Sequence, residues 1–350
     1  MQGADNQARI PAAIPGAKPI PEIACAGPQQ LTQELLTSTT PVILRGLVAA
    51  WPVVQAALTS QQAADAYLRR FYQDATVTAM YGMPEIEGRF FYNEDLSGFN
   101  YASSRVKLDV VLDALRDHAQ DVRPPAIYVG SSSIDNYLPG FRGENKLEVL
   151  DAREPLVNIW IGNRTRIPAH FDLPDNLACI AAGRRRFTLF PPDQLHNLYI
   201  GPFDPTPAGQ AISLVDFAEP DLDKYPRFAI AMAHACVADL EAGDALFIPS
   251  MWWHHVEALD SFNLLVNYWW RQSPSYMDTP WNTLMHALLS MRDLPPAQRE
   301  AWQELFRHYV FESNGDEVKH IPQQAQGMLG PFNSDTARTL RANLLNKMKR

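Results

Sequence analysis

RIPAHFDLPDN, residues 166–176, closes an apolar stretch on His170 and Asp172. Positions i and i+2 of a strand project from one face, so this imidazole and this carboxylate can converge on a single ion. Further along, GDALFIPSMWWHHVEAL, residues 243–259, turns at Gly243 and Asp244 into an apolar run and delivers two adjacent histidines, His254 and His255. A strand that brings His254 to the face of His170 and Asp172 completes a set of two histidines and one carboxylate. Such a set leaves neighbouring positions open on an octahedral metal, as non-haem Fe(II) requires to take a co-substrate and oxygen together. A structural zinc site calls for a fourth protein ligand, commonly cysteine, and Cys25, Cys179 and Cys236 are scattered without a CxxC pair. His255, the next residue along the strand, is expected to face away from the ion. The plainer reading of this segment is an aromatic core patch built from Trp252, Trp253 and the histidines.

The segments around these residues set the fold class. AIYVGSS (126–132), PLVNIWIG (155–162), NLACIAAG (176–183), RRFTLFPP (185–192), DALFIPS (244–250) and SFNLLVNYWW (261–270) are short apolar runs punctuated by Gly, Pro, Asn and Asp. Strands following one another without long helices between them predict an antiparallel double sheet or barrel rather than a βαβ fold. TPVILRGLVAAWP, residues 40–52, reads as a buried strand and a turn, and helical spacing predicts helices over 60–71 and 106–119. Residues 1–25, rich in Pro, Ala, Gly and Gln, read as an extended arm, 26–272 as one domain around a β core, and 273–350 as a helical region. In that last region three apolar stripes recur, on Trp281, Leu284 and Leu288, on Trp302, Leu305 and Tyr309, and on Ala337, Leu340, Leu344 and Met348. The third is expected to open on Ser334 or Asp335 as its cap.

Composition narrows the function classes. Hydrophobic residues make up 46% of the 350 residues and the formal charge is −9, which suits an ordinary folded chain and argues against affinity for nucleic acid through phosphate neutralisation. There is no basic start followed by an apolar run and no unbroken apolar stretch of membrane length. The expectation is a cytoplasmic protein with no membrane contact.

HFD, NLACIAAGRRRFTLFPPDQ and GDALFIPSMWWHHVEALDSFNLLVNYWW together resemble the cupin-like JmjC oxygenases, most of all their asparaginyl-hydroxylase members that act on hypoxia-inducible factor. PVILRGLVAAWP resembles that family's opening strand and turn. The resemblance implies a mainly β fold with flanking helices, a double-stranded β-helix or jelly-roll, that uses Fe(II), 2-oxoglutarate and O2. It implies His170, Asp172 and His254 as iron ligands, and Tyr128, Asn176, Asn267 and Trp269 around the co-substrate. The distal carboxylate of 2-oxoglutarate, held in that family by lysine, falls to Arg185 here, and a threonine that assists it is replaced by Ile167.

Alternation gives a separate reason to choose Arg185 among Arg184, Arg185 and Arg186. It shares parity with Phe187 and Leu189, so a barrel lined by those two takes Arg185 inside and leaves its neighbours outside. A buried guanidinium needs a partner, and a dicarboxylate supplies one. The competing reading is a solvated run of charge on an edge strand.

The expected activity is oxygenation of a protein or peptide side chain, with a small-molecule substrate as the alternative. An aspartate ligand and the lack of a chromatin-reading module favour hydroxylation over demethylation. Two other classes compete: a metal-dependent cupin isomerase or hydrolase without oxygen chemistry, and a non-catalytic cupin-fold binding protein. A substrate is expected over the metal, beneath a rim formed by residues 193–234, with Tyr81, Phe90, Phe91 and Tyr92 as an aromatic wall or as core. Pairing of two copies through the C-terminal helices is expected.

Overall fold

The computed structural model describes residues 14–349. Among the described residues fourteen strands run in chain order: β1 (Lys18–Pro19), β2 (Glu22–Ala24), β3 (Val42–Arg45), β4 (Thr76–Gly82), β5 (Ala102–Lys107), β6 (Ala126–Ser133) and β7 (Leu156–Gly162), then β8 (Arg166–His170), β9 (Asp175–Ala182), β10 (Arg185–Phe190), β11 (Cys236–Leu240), β12 (Ala245–Ile248), β13 (Trp253–Ala258) and β14 (Asn263–Trp270). They form a sheet of five in the order β1-β11-β10-β13-β8 and a sheet of nine in the order β2-β3-β12-β9-β14-β7-β6-β4-β5. Pairing is antiparallel except where β1 joins β11 and β2 joins β3. This is the jelly-roll that the resemblance implied.

Period-two alternation divides the apolar residues into layers. Along β9 every residue is buried, because the strand is covered on both sides. Ala178 and Ile180 pack with Phe187, Leu189, Leu246 and Leu265 inside the barrel. Leu177, Cys179 and Ala181 pack outward against Val54, Leu68 and Leu112. Those outer partners belong to the helices Pro52–Thr59, Gln61–Arg69 and Leu108–Asp117. The second of these is capped by Ser60, whose hydroxyl accepts from the Ala63 amide at 3.0 Å.

Three local readings differ from the sequence expectation. The predicted helix over 106–119 begins at Leu108, and Val106 and Lys107 close β5 instead. Strands β4 and β5 were not foreseen: β5 is a largely exposed edge strand with polar residues on both faces, whereas β4 alternates, with Val77 and Ala79 buried, in a stretch that sequence reading passed over. The arm expected over 1–25 lies outside the described residues as far as 13; from there it is extended but packed, with Ile14 and Ile20 buried and β1 and β2 paired into the two sheets.

The turn before β12 is held firmly. Gly243 has φ +105°, and a Cβ there would meet the Ala49 backbone at 3.2 Å. Beside it the Asp244 carboxylate accepts from the Gly46 amide at 2.9 Å and from Arg45 at 2.7 Å, while Arg45 also pairs with Glu22.

The chain divides into two compact units, residues 1–272 and 273–350. The second contains the helices Pro280–Ser290, Pro296–Phe306 and Ser334–Met348. Its last helix is capped by Asn333, not by Ser334 or Asp335, because the Asn333 side chain accepts from the amides of both Asp335 and Thr336. Among the described residues no helix is long and apolar enough to cross a membrane.

Candidate metal centre

His170 is the last residue of β8, and His254 is its register partner on β13. Their ring centroids lie 4.4 Å apart. Asp172 does not reach them by strand parity, since it lies beyond the end of β8. The turn that carries it is laced to the segment before β13: the Met251 amide donates to the Asp172 carbonyl at 2.9 Å, the Ser250 amide to the Asp175 carboxylate at 2.9 Å and the Ser250 hydroxyl to the Leu173 carbonyl at 2.6 Å. Asp172 Oδ2 thereby comes within 3.6 Å of His254 Nε2. One ligand atom from each of His170, Asp172 and His254 falls within 4.8 Å of the others.

The donor chemistry fits a divalent ion. His170 Nδ1 lies 2.9 Å from the Pro168 carbonyl and His254 Nδ1 lies 3.1 Å from the Trp252 carbonyl. A carbonyl only accepts, so each Nδ1 carries the proton and each Nε2 keeps its lone pair for a metal. Burial, reinforced by His170 and opposed by Asp172, pulls His254 down to about 4, which keeps the ring neutral at ordinary pH. His255 is on the opposite side of β13, with its ring 4.8 Å from Phe217.

A second group of side chains lines the barrel interior. Arg185 is 3% exposed and its Nε has no partner. Its neighbours face out, Arg184 to Asp260 at 2.8 Å and Arg186 to Asp239 at 2.7 Å. Burial pulls the Arg185 guanidinium down to about 10, with Tyr128 opposing. Tyr128 is itself buried, its phenol pushed up by desolvation, and it is in electrostatic reach of both Arg185 and Asp172. Ile167 packs with Tyr128, Phe90 and Ala126, so this wall is apolar. Asn267 Nδ2 donates to Asn176 Oδ1 at 3.2 Å, and Trp269 Nε1 is buried without a partner.

Sequence reasoning missed Trp160, which donates from Nε1 to Asn267 Oδ1 at 2.8 Å and stands between Tyr128 and Trp269. The available signal was its parity with Asn158 in LVNIWIG. Of the aromatic wall, Phe90 and Tyr92 are buried and Tyr81 is exposed. Phe90 packs on Tyr128 and on Tyr101. The rim segment is tied down next to His170, where the Ser213 amide donates to the Ala169 carbonyl at 2.8 Å, and again where Asp216 pairs with Arg166 and the Tyr92 hydroxyl donates to the Pro205 carbonyl. Its Phe217 and Phe228 pack on Phe190.

A family model described as a cupin-like domain matches residues 28–276. The chain is 30% identical over 182 residues to lysine-specific demethylase JMJ31 of Arabidopsis thaliana, which covers 47% of this chain and 32% of that protein. It is 39% identical over 106 residues to tRNA wybutosine-synthesizing protein 5 of Mus musculus, 30% of each. It is 26% identical over 254 residues to lysine-specific demethylase 8 of Xenopus tropicalis, covering 72% of this chain and 52% of that protein. The chain thus spans about a third of the length of the first two relatives and about half of the third.

Proposed function

The chain belongs to the family of cupin-like domains, and from that premise we propose that it is an Fe(II)- and 2-oxoglutarate-dependent oxygenase that hydroxylates a protein or peptide side chain. The observation that carries the reading is the meeting, in one barrel, of the donor set His170, Asp172 and His254 with a buried guanidinium that has a free donor. Iron with 2-oxoglutarate and O2 supplies an oxidant: the oxo acid leaves as succinate and carbon dioxide, and one oxygen atom enters a substrate C–H bond. The protein's part is to hold and orient. His170 and His254 offer neutral Nε2 atoms whose direction is set by the carbonyls behind them. Arg185, whose Nε has no partner among the described residues, would hold the distal carboxylate, and the apolar wall of Ile167 and Phe90 excludes water. Tyr128 joins these two regions.

Two of the relatives are named for lysine demethylation and another for tRNA modification. Hydroxylation of an N-methyl group is the same C–H oxidation, after which the product loses formaldehyde. The test is anaerobic reconstitution with iron and 2-oxoglutarate, admission of O2, and measurement of succinate, followed by mass spectrometry of peptides from a lysate. One added oxygen supports side-chain hydroxylation, and loss of a methyl group redirects the reading to demethylation. No succinate, with turnover on zinc or manganese, points to an isomerase or hydrolase; no metal binding points to a non-catalytic role.

The unit 273–350 is proposed to pair with a second copy of the chain. Trp302, Leu305, Leu344 and Met348 are each at least 45% exposed along its helices, an apolar surface that isolated chains rarely leave open.

A further inference from the structure

Three side chains run diagonally across three neighbouring strands of the large sheet, all on its inward face. Trp160 on β7 donates to Asn267 Oδ1 on β14, and Asn267 Nδ2 donates to Asn176 Oδ1 on β9. Asn267 is 1% exposed and Asn176 6% exposed. Asn176 Nδ2 makes no hydrogen bond among the described residues.

The direction of this chain is forced from one end. An amide side chain has an oxygen that accepts and a nitrogen that donates, and which way it turns is decided by its partners. An indole N–H only donates, so Trp160 requires the oxygen of Asn267 to face it. The Asn267 nitrogen is then left for Asn176, which must answer with its oxygen. Asn176 is in turn left presenting N–H groups. Without Trp160 the two amides can turn over together and present oxygen instead.

We infer that Trp160 is a positioning residue that sets the polarity of this relay, so that Asn176 offers a donor to a carboxylate oxygen of the bound oxo acid. The inference rests on the oxygenase reading above. It also agrees with the neighbour of Asn176 on β14: Trp269, its register partner, has a buried Nε1 without a partner, a donor too. The indole is held for the task between Tyr128 and Trp269, at centroid distances of 6.2 and 5.8 Å. A Cβ on Gly130 would press on it at 3.3 Å, so the small residue there keeps its place open.

The experiment is calorimetric titration of 2-oxoglutarate into the iron-loaded, oxygen-free full chain, with iron affinity and melting temperature measured alongside. Trp160→Phe keeps the ring and loses the N–H, and should weaken binding about tenfold with iron affinity unchanged. Asn267→Asp keeps the acceptor for Trp160 but turns a second acceptor toward Asn176, which then swings its donors to the introduced carboxylate and its oxygen toward the ligand. Asn267→Ala leaves Asn176 free to donate. The relay therefore orders the dissociation constants as parent, then Asn267→Ala, then Asn267→Asp. A role in packing alone reverses the last two, since aspartate fills the space and alanine does not. That reversal, or Trp160→Phe binding as tightly as the parent, overturns the inference. Trp160→Phe also separates the relay from the added charge of Asn267→Asp, and it decides alone if that variant does not fold. Failure of the parent chain to bind 2-oxoglutarate would instead overturn the oxygenase reading.

Discussion

His254 and His170 are cross-strand partners whose rings lie 4.4 Å apart, each with Nδ1 committed to the carbonyl two residues before it. Both Nε2 atoms are consequently fixed before any metal arrives. Replacement of His170, Asp172 or His254 by Ala should abolish iron binding and succinate formation, whereas His255→Ala should retain iron because that ring packs on Phe217. Equilibrium dialysis with Fe(II) under nitrogen checks this. Loss of iron in His255→Ala with retention in His254→Ala would show that the other histidine is the ligand.

Arg185→Ala should raise the 2-oxoglutarate requirement about thirtyfold or more, since removal of a charge-assisted partner from a buried anion costs on the order of 2–5 kcal/mol. Arg184→Ala and Arg186→Ala break exposed or half-exposed ion pairs and should change it little. Dependence of succinate formation on co-substrate concentration distinguishes the three, and equal effects would remove Arg185 from its proposed role.

Glu257 gives the apoprotein a pH dependence of stability. It is 6% exposed, with Arg186 and Arg166 as cross-strand neighbours. Burial raises its carboxyl to about 7, more than the two arginines lower it. Between its unfolded value near 4.5 and about 7 the folded state holds more protons than the unfolded state, so stability falls as pH rises through that window. Glu257→Gln should match the parent near pH 5 and exceed it near pH 8, by at most on the order of 3 kcal/mol. Urea midpoints of metal-free protein at the two pH values measure the difference; parallel pH profiles would contradict it.

The intact chain should scatter light as a dimer at micromolar concentration, and Leu344→Arg should give a monomer that keeps its iron affinity. Leu344 is 46% exposed on the last helix, so the added charge costs the single chain little. A monomeric mass for the parent would end the pairing proposal.

The barrel was legible because its central strands are covered on both faces, and burial on both sides leaves the apolar runs in NLACIAAG and SFNLLVNYWW that sequence reading detects. The inward turn of Arg185 followed from alternation alone, since Phe187 and Leu189 define the face. Strand β5 escaped because an exposed edge need not alternate, while β4 carried an alternating signal, Val77 and Ala79 against Thr76 and Thr78, that went unread. Asp172 was named for the wrong geometric reason: a turn tied to Met251 and Ser250 brings it to the histidines, and such ties join segments distant in sequence. Trp160 was invisible for a related reason. Its bond to Asn267 is diagonal across a strand pair, and the register that permits it is a property of the assembled sheet.

The pairing of β1 with β11 sets a schedule for synthesis. Lys18 and Pro19 lie beside Cys236 and Val237, so one of the first described segments to leave the ribosome finds its neighbour only after most of the barrel has been made. At ~5–20 residues per second that delay is on the order of ten to forty seconds. Throughout it the segment is an unsatisfied edge in a crowded cell. Its spelling suits the wait: Pro15, Pro19 and Pro21 have no amide hydrogen to offer a stray strand, which leaves the segment poorly able to aggregate until its own partner emerges.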